Sequence, residues 1–404
     1  MTQEIQQLPD LVPNLNQDDH HSKHENECFP RRSLLQGAAG AAVGTALLAT
    51  RAVAMSNAST KVADVAAAAH VSPLSFKYSL EQAAPQVYAG GMSRQATSAN
   101  IAQLSGLSVL SLRVSPGAMR EIHWHPNAAE LTYCLSGQGE VGIFVSGNTA
   151  DIFAIQQGSV SFVPIGAAHY ISNTGSEVLH MISAFTNENP DHIDLSDTLG
   201  YIPRRLLAQT FELPKQGFPP LPQQPDRVLV HVGSVSPGST FSSGKYTVNI
   251  NTIPPTTYDG GTITAVSPQF LPALDGITVF YLQGKPGALR EPHWHPNSAE
   301  LGYIVQGNAA IEIIGPNEQC ESFVARPGDI AFIPKNFLHH SDSVSQDPMT
   351  ILSFFSASTP AHIDFSQLMS AFPRPLIAAS FGPNLNIFDQ LPRLGDTVLT
   401  AQRP

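Results

Sequence analysis

Three side chains that bind divalent metals well stand close together in GAMREIHWHPNAAELTYCLSGQG (117–139): His123, His125 and Glu130. One residue separates the two histidines, so on a β-strand both imidazoles leave the same face. The Pro126-Asn127 step lets the chain bend before Glu130 returns to that face. A fourth candidate, His169, follows in GSVSFVPIGAAHYISN. The whole set then recurs. GALREPHWHPNSAELGYIVQGNA (287–309) carries His293, His295 and Glu300, and GDIAFIPKNFLHHSDS carries His339. Three neutral imidazoles and one carboxylate suit manganese, iron, zinc, copper or nickel, and the thermodynamic order alone favours copper or zinc over manganese. An octahedral ion held by four protein ligands keeps two adjacent positions open, enough for a bidentate dicarboxylate or for a carboxylate plus dioxygen. A lone buried histidine is usually structural; eight ligand-type residues in two identically spaced sets point to metal. His340, next to His339, points to the other face of its strand and reads as structural or surface-exposed.

The elements that must position these groups read as strands. SVLSLRV (108–114), EVGIFV (140–145), SVSFVP (159–164) and VLHMISAF (178–185) are short β-branched and aromatic runs set between Gly, Pro, Asn and Ser clusters. Amphipathic helix is confined to stretches around 195–207 and 365–376. The organisation is a duplication. His123/His293, Glu130/Glu300, His169/His339, Arg120/Arg290, Gly158/Gly328, Pro164/Pro334, Gly90/Gly260 and Phe211/Phe381 are all separated by 170 residues, without a gap. Two copies of one β-domain are therefore expected over 75–226 and 227–404, joined by a Pro-rich connector at about 212–226.

Composition narrows the function classes. The chain has 404 residues, 42% of them apolar and 13% charged, which describes a globular protein of about two domains. A net charge of −11 argues against nucleic-acid binding, which needs a basic surface. Cys28, Cys134 and Cys320 are too few for a disulfide framework, and Cys134, which aligns with Ile304, reads as a buried apolar thiol. Residues 1–30 are polar and acidic and read as disordered. Arg31-Arg32-Ser33-Leu34-Leu35 then opens an Ala/Gly-rich apolar run ending near Ala52-Val53-Ala54. This resembles a twin-arginine export signal, so residues 1–54 stand outside the fold and 55–74 form an Ala-rich linker. An uncleaved membrane anchor is the alternative, at the short end for a spanning helix. Periplasmic or extracellular residence is expected.

These motifs carry a family resemblance. Gly117 leads by five residues into His123-x-His125, followed by Glu130 and Gly137, and Gly158, Pro164, Gly166, His169 and Asn173 complete a second motif. Both fit the two cupin motifs. The second copy has Asn336 in place of the Gly and Ser343 in place of the Asn. The chain resembles a bicupin over about residues 75–395, and the R-E-x-H-W-H-P wording in both halves is most similar to the oxalate decarboxylases. The resemblance implies an all-β fold of two tandem cupin (double-stranded β-helix, jelly-roll) barrels with short flanking helices. It implies one Mn(II) per barrel, two per chain, oxalate as substrate, and a homo-oligomer, trimer or hexamer. Export in the folded state adds a physical reason for manganese, since a metal trapped before export escapes competition outside.

The resemblance further implies that Arg120 and Arg290, three residues before the first ligand, point into the cavity and take a substrate carboxylate on the guanidinium fork. The alternative is a rim ion pair with Glu121 or Glu291. Decarboxylation also needs a proton-transferring group. In the family this is a Glu on a flexible lid within a Ser-Glu-Asn-Ser/Thr segment; the corresponding stretches here, TNENPDHIDLSD (186–197) and SASTPAHIDFSQ (356–367), lack that segment. Asp191 aligns with Ala361 and Glu188 with Ser358, so only the first copy offers acidic candidates, Asp191 and Glu188. His192/His362 and Asp194/Asp364 occur in both copies and read as structural, pinning the lid or capping the next helix. The expected activity is conversion of oxalate to formate and CO₂. Oxidation of oxalate with O₂ and non-catalytic storage of manganese are the competing readings. A storage-protein-like bicupin is disfavoured because all eight ligands are present.

Overall fold

The computed structural model describes residues 75–147, 150–214, 217–220, 228–231, 242–317, 319–381 and 398–401. The export signal, the 55–74 linker, Cys28 and connector residues 221–226 lie outside the described residues. Among the described residues no helix is long and apolar enough to cross a membrane.

The expected runs form strands at Ser108–Val114, Gln138–Phe144, Ser159–Val163 and Leu179–Phe185. Each half closes two antiparallel sheets over one another. In the first, a seven-stranded sheet includes Glu130–Ser136 between Ser159–Val163 and Leu179–Phe185. The facing sheet runs from Ile193–Asp194 through Ala118–Trp124, Ala168–Asn173 and Gln138–Phe144 to Asp151–Gln156. The second half repeats this order, with Leu289–Trp294, Glu300–Gln306 and Leu338–Ser343 in the corresponding places. Alternation along the strands fills each barrel with apolar side chains, including Val141, Ile143, Phe153 and Met181 in one, and Ile304, Ile311, Ile313 and Ile351 in the other.

The two barrels share structure. Lys77–Tyr78, which precedes the first barrel in sequence, pairs with Ala331 and Ile330 of the second. Thr247–Asn249 pairs in return with Ser161–Ser159 of the first. Leu131, Phe162 and Ile182 join Leu301, Phe332 and Phe354 in one buried cluster between the halves. This exchange of leading strands adjusts a sequence-based boundary. Leu229–His231, assigned by position to the second domain, pairs with Ala118–Arg120 and completes the first barrel. Its counterpart Leu399–Thr400 does the same for the second.

After each barrel the chain forms two short helices where one was expected: Leu195–Tyr201 and Arg204–Thr210, then Phe365–Ala371 and Arg374–Phe381. Pro203 and Pro373 cause the break, because a proline biases the residue before it away from helical geometry and lacks an N–H. The motif glycines answer to backbone geometry as well. Gly137 has φ 87°, and a Cβ there would lie 2.7 Å from the Val178 carbonyl oxygen. Gly166 has φ 75°, and Asn336 holds the same left-handed region at φ 67°, which explains why Asn substitutes there.

Candidate metal centres

The six-stranded sheet of each barrel supplies the histidines and the seven-stranded sheet the glutamate. His123 and His169 sit directly opposite each other on paired strands, as do His293 and His339. His125 and His295 follow at the strand ends, where the chain bends as the Pro-Asn steps suggest. The structure gathers His123, His125, Glu130 and His169 so that one ligand atom from each lies within 4.8 Å of the others, and does the same with His293, His295, Glu300 and His339. Seven of the eight residues are buried, and Glu300 is partly so.

The orientation of the rings decides what the cluster can bind. His123 Nδ1 lies 2.8 Å from the Glu121 carbonyl oxygen, His125 Nδ1 2.7 Å from that of Asp191, and His169 Nδ1 3.1 Å from that of Ala167. The second barrel repeats all three contacts, to Glu291, Ala361 and Phe337, at 2.8, 2.9 and 3.1 Å. A carbonyl can only accept, so Nδ1 carries the proton and a neutral ring turns its Nε2 lone pair inward. Those lone pairs meet a carboxylate: Glu130 Oε2 is 3.2 Å from both His125 Nε2 and His169 Nε2, and Glu300 Oε2 is 3.1 Å from His295 Nε2 and His339 Nε2. His125 Nε2 is buried without a hydrogen-bond partner. Buried acceptors facing one another need either protons or a cation between them. Burial pushes His123, His293 and His339 below the ordinary histidine value, with neighbouring imidazoles and the arginines adding to the effect at His123 and His293. Burial alone would raise Glu130 and Glu300, but positive charge on the Nε2 side of two imidazoles, a proton or a cation in its place, outweighs it and holds both carboxyls well below their usual range. Neutral imidazoles around an ionised carboxylate are the protonation state a divalent cation requires. The residues present therefore fit a first-row metal ion.

Arg120 comes to the site through a bulge. Four residues from Arg120 to His123 face only three from Ile171 to His169, and the second barrel has the same irregularity between Arg290 and His293. The extra residue changes the strand parity and buries Arg120 and Arg290 alongside the ligands. Their partner is not the neighbouring glutamate. Arg120 Nη1 lies 2.7 Å from Asp194 Oδ1, and Arg290 Nη1 donates to Asp364 Oδ1 at 2.7 Å. Glu121 and Glu291 instead accept from the backbone N–H and hydroxyl of Ser196 and Ser366 at the start of each helix. The capping expected of Asp194 and Asp364 falls to these glutamates, since neither aspartate makes a side-chain cap bond.

The structure does not bring Glu188 to the metal cluster. Its Oε2 accepts from the Gly106 N–H at 2.9 Å, a bond that holds its carboxyl below the ordinary value. Ser358 Oγ accepts from Gly276 N–H in the same way, so the position is a loop fastener in both halves. Asp191 is exposed; its carboxylate accepts from Asn127 Nδ2 at 2.9 Å, while its carbonyl orients His125. Asn127 was not singled out by motif reasoning, yet it holds the segment after the barrel. Its side chain also donates to the Asn189 carbonyl at 3.1 Å and accepts from the Asp191 N–H at 2.8 Å. Asn297 makes the matching bonds to Thr359 and Ala361. The Pro-Asn step shared by both motifs was the available signal.

The remaining candidates behave as structure. Burial raises the Cys134 thiol to about 12, as expected of an apolar core position. His340 is half-buried, with Nε2 3.1 Å from Glu312. Around the second centre a cavity of about 170 Å³ is lined by all four ligands, Arg290 and His362, with Phe280, Leu282, Ile333 and Phe355 among its apolar walls.

A duplicated jelly-roll barrel with three histidines and a glutamate converging inside each copy defines a two-centre, metal-binding β-barrel protein. The chain belongs to the cupin family, whose model, described as "Cupin", matches residues 78–216 and again 248–386. It is 23% identical over 319 residues to oxalate decarboxylase OxdC of Bacillus subtilis, covering 77% of this chain and 83% of that protein. Oxalate decarboxylase of Arthroderma benhamiae is 23% identical over 351 residues, with 78% and 82% covered. The solved structure of the Bacillus subtilis enzyme at pH 4.6 superposes with a TM-score of 0.72 at 22% identity, over 81% of this chain and 87% of that one. Another structure of that enzyme, also with a TM-score of 0.72, concerns its Mn(II) centres; it is 21% identical and covers 81% of this chain and 89% of that one. The two-barrel cupin fold expected from the motifs is the fold found.

Proposed function

We propose that the chain is an exported bicupin that holds one Mn(II) in each barrel and converts oxalate to formate and CO₂. The observation that carries this reading is the pair of inward-facing three-histidine, one-glutamate clusters, each with a buried arginine beside it, in a chain similar along most of its length to oxalate decarboxylases. When bound, manganese would supply a Lewis acid that fixes and polarises a substrate carboxylate. The protein's own contribution is to hold the four ligands in their binding tautomers, to keep the cavity walls apolar, and to place a guanidinium where negative charge must enter. Only Nη1 of Arg120 and of Arg290 is engaged among the described residues, so the rest of each fork is available to a carboxylate. Twin-arginine export, a periplasmic or extracellular location and a trimeric or hexameric assembly belong to the same proposal.

The test uses the folded, full chain. Elemental analysis should find about two manganese per chain, and incubation with oxalate should release formate without peroxide. Peroxide without formate would move the reading to an oxidase. Full metal occupancy with neither product would leave a manganese-holding cupin.

A further inference from the structure

Each barrel carries a second feature that the metal cluster does not use. In the second barrel a line of three groups runs from the interior outward. Arg290, 8% exposed at its side chain, donates to Asp364 Oδ1 at 2.7 Å. The other carboxylate oxygen of Asp364, a fully buried residue, makes no hydrogen bond among the described residues and lies 3.3 Å from His362 Nε2. His362 itself is 44% exposed at its side chain and lines the same cavity as His293, His295, Glu300 and His339. The first barrel repeats the line: Arg120 to Asp194 at 2.7 Å, and Asp194 Oδ2 to His192 Nε2 at 3.7 Å, with His192 half exposed. Both aspartates are fixed by pairing backbone to backbone with the first ligand, Asp194 with His123 and Asp364 with His293.

We propose that His192 and His362 are the proton-transferring groups of the two centres, each standing beside its aspartate–arginine pair, and that they do the work for which this chain has no lid glutamate. The inference rests on the oxalate reading above. Three observations support it. The two acidic candidates are committed elsewhere, Glu188 to Gly106 N–H and Asp191 to Asn127. The second barrel has neither, carrying Ser358 and Ala361 in their places, whereas a histidine stands two residues before the aspartate in both copies. An imidazole beside a buried carboxylate can take up and return a proton; at His192 burial and the Arg120 charge lower the imidazole, and the Asp194 carboxylate works against both. Balance requires nothing more. Hydrogen oxalate gives its carboxylic proton to the imidazole and the C–C bond breaks. One carbon leaves as CO₂, the bonding pair stays on the other, and the imidazolium returns the proton to that carbon as the C–H of formate.

The experiment compares the full manganese-loaded chain with His192→Asn, His362→Asn and the double variant. It measures bound manganese, oxalate affinity by calorimetry, and formate release with and without added imidazole. Manganese content and oxalate affinity should stay within about threefold of the parent, because neither histidine is a ligand. The double variant should lose formate release by roughly a hundredfold or more. Free imidazole should restore part of that loss, which a merely structural role would not allow. A double variant that keeps more than a tenth of the parent rate overturns the inference. So does loss of formate in Asp191→Ala while both histidine variants remain active. If the parent chain itself yields no formate, the oxalate reading and the inference fall together, an outcome distinct from an active parent with indifferent histidine variants.

Discussion

Asn127→Ala tests whether the segment after the barrel is a structural part of the metal centre. The side chain makes three hydrogen bonds to that segment, at 3.1, 2.9 and 2.8 Å, and the segment in turn gives His125 Nδ1 its carbonyl partner at 2.7 Å. Asn127 is partly exposed, so each bond contributes about 0.5–1 kcal/mol net, and their loss frees roughly 1.5–3 kcal/mol of ordering. A ligand whose orienting partner is loosened typically loses about 10–100-fold in metal affinity, and ~1.4–2.7 kcal/mol is the same range on the energy scale. The two estimates agree, although one counts bonds and the other describes ligand orientation. The assay is a chelator titration of the manganese-loaded chain. One equivalent should leave at about 10–100-fold lower chelator concentration than in the parent, while the second, in the barrel held by Asn297, leaves as before. Asn297→Ala should give the mirror result. Release of both equivalents at the parental chelator concentration in Asn127→Ala would refute the argument that this segment sets the tautomer and aim of His125.

Arg290→Ala should destabilise the metal-free chain by about 3–5 kcal/mol, read from urea denaturation, because it leaves the fully buried Asp364 carboxylate without its cation. Acid should release the metal: His123 and His293 titrate below the ordinary 6.5 because of burial, so below about pH 6.5 the unfolded, metal-free chain takes up protons first and both fold and metal affinity weaken as pH falls. Free manganese followed against pH checks this, and a metal affinity unchanged down to pH 4.5 would contradict it. Glu81, from the segment exchanged between the barrels, is raised by burial but lowered more by His180, Ser111 and Arg113, to about 2 from an ordinary 4.5. Its stabilisation, about 3 kcal/mol, is present above pH 4.5 and is lost as pH falls through 2. Glu81→Gln should therefore be less stable than the parent at pH 6 and converge with it only below about pH 2.

Much of the centre was legible because ligand chemistry is written in residue types and short spacings. His123-x-His125 needs only strand parity, and a repeat offset of 170 residues needs no structure at all. What was not legible depends on register. The bulge that turns Arg120 inward is a mismatch of four residues against three across a pair of strands, and no single strand records it. The exchange of Lys77–Tyr78 and Thr247–Asn249 between barrels involves two- and three-residue strands, too short for alternation to announce them. The partner of Arg120 also lay out of reach, since Asp194 is 74 positions away and the sequence offered an adjacent Glu121.

The duplication acts as an internal control on which atoms matter. Where a side chain does the work, both copies keep it: the eight ligands, the arginine, the stapling asparagine. Where the backbone does the work, the side chain differs. Asp191 and Ala361 share only their backbone, and each gives its carbonyl to a histidine and its N–H to an asparagine. Glu188 and Ser358 share only an oxygen that accepts a glycine N–H. By the same comparison, a feature of the chemistry common to both barrels cannot rest on Asp191 or Glu188. It must rest on side chains present twice, and beside the ligands those include the arginine, the aspartate and the half-exposed histidine.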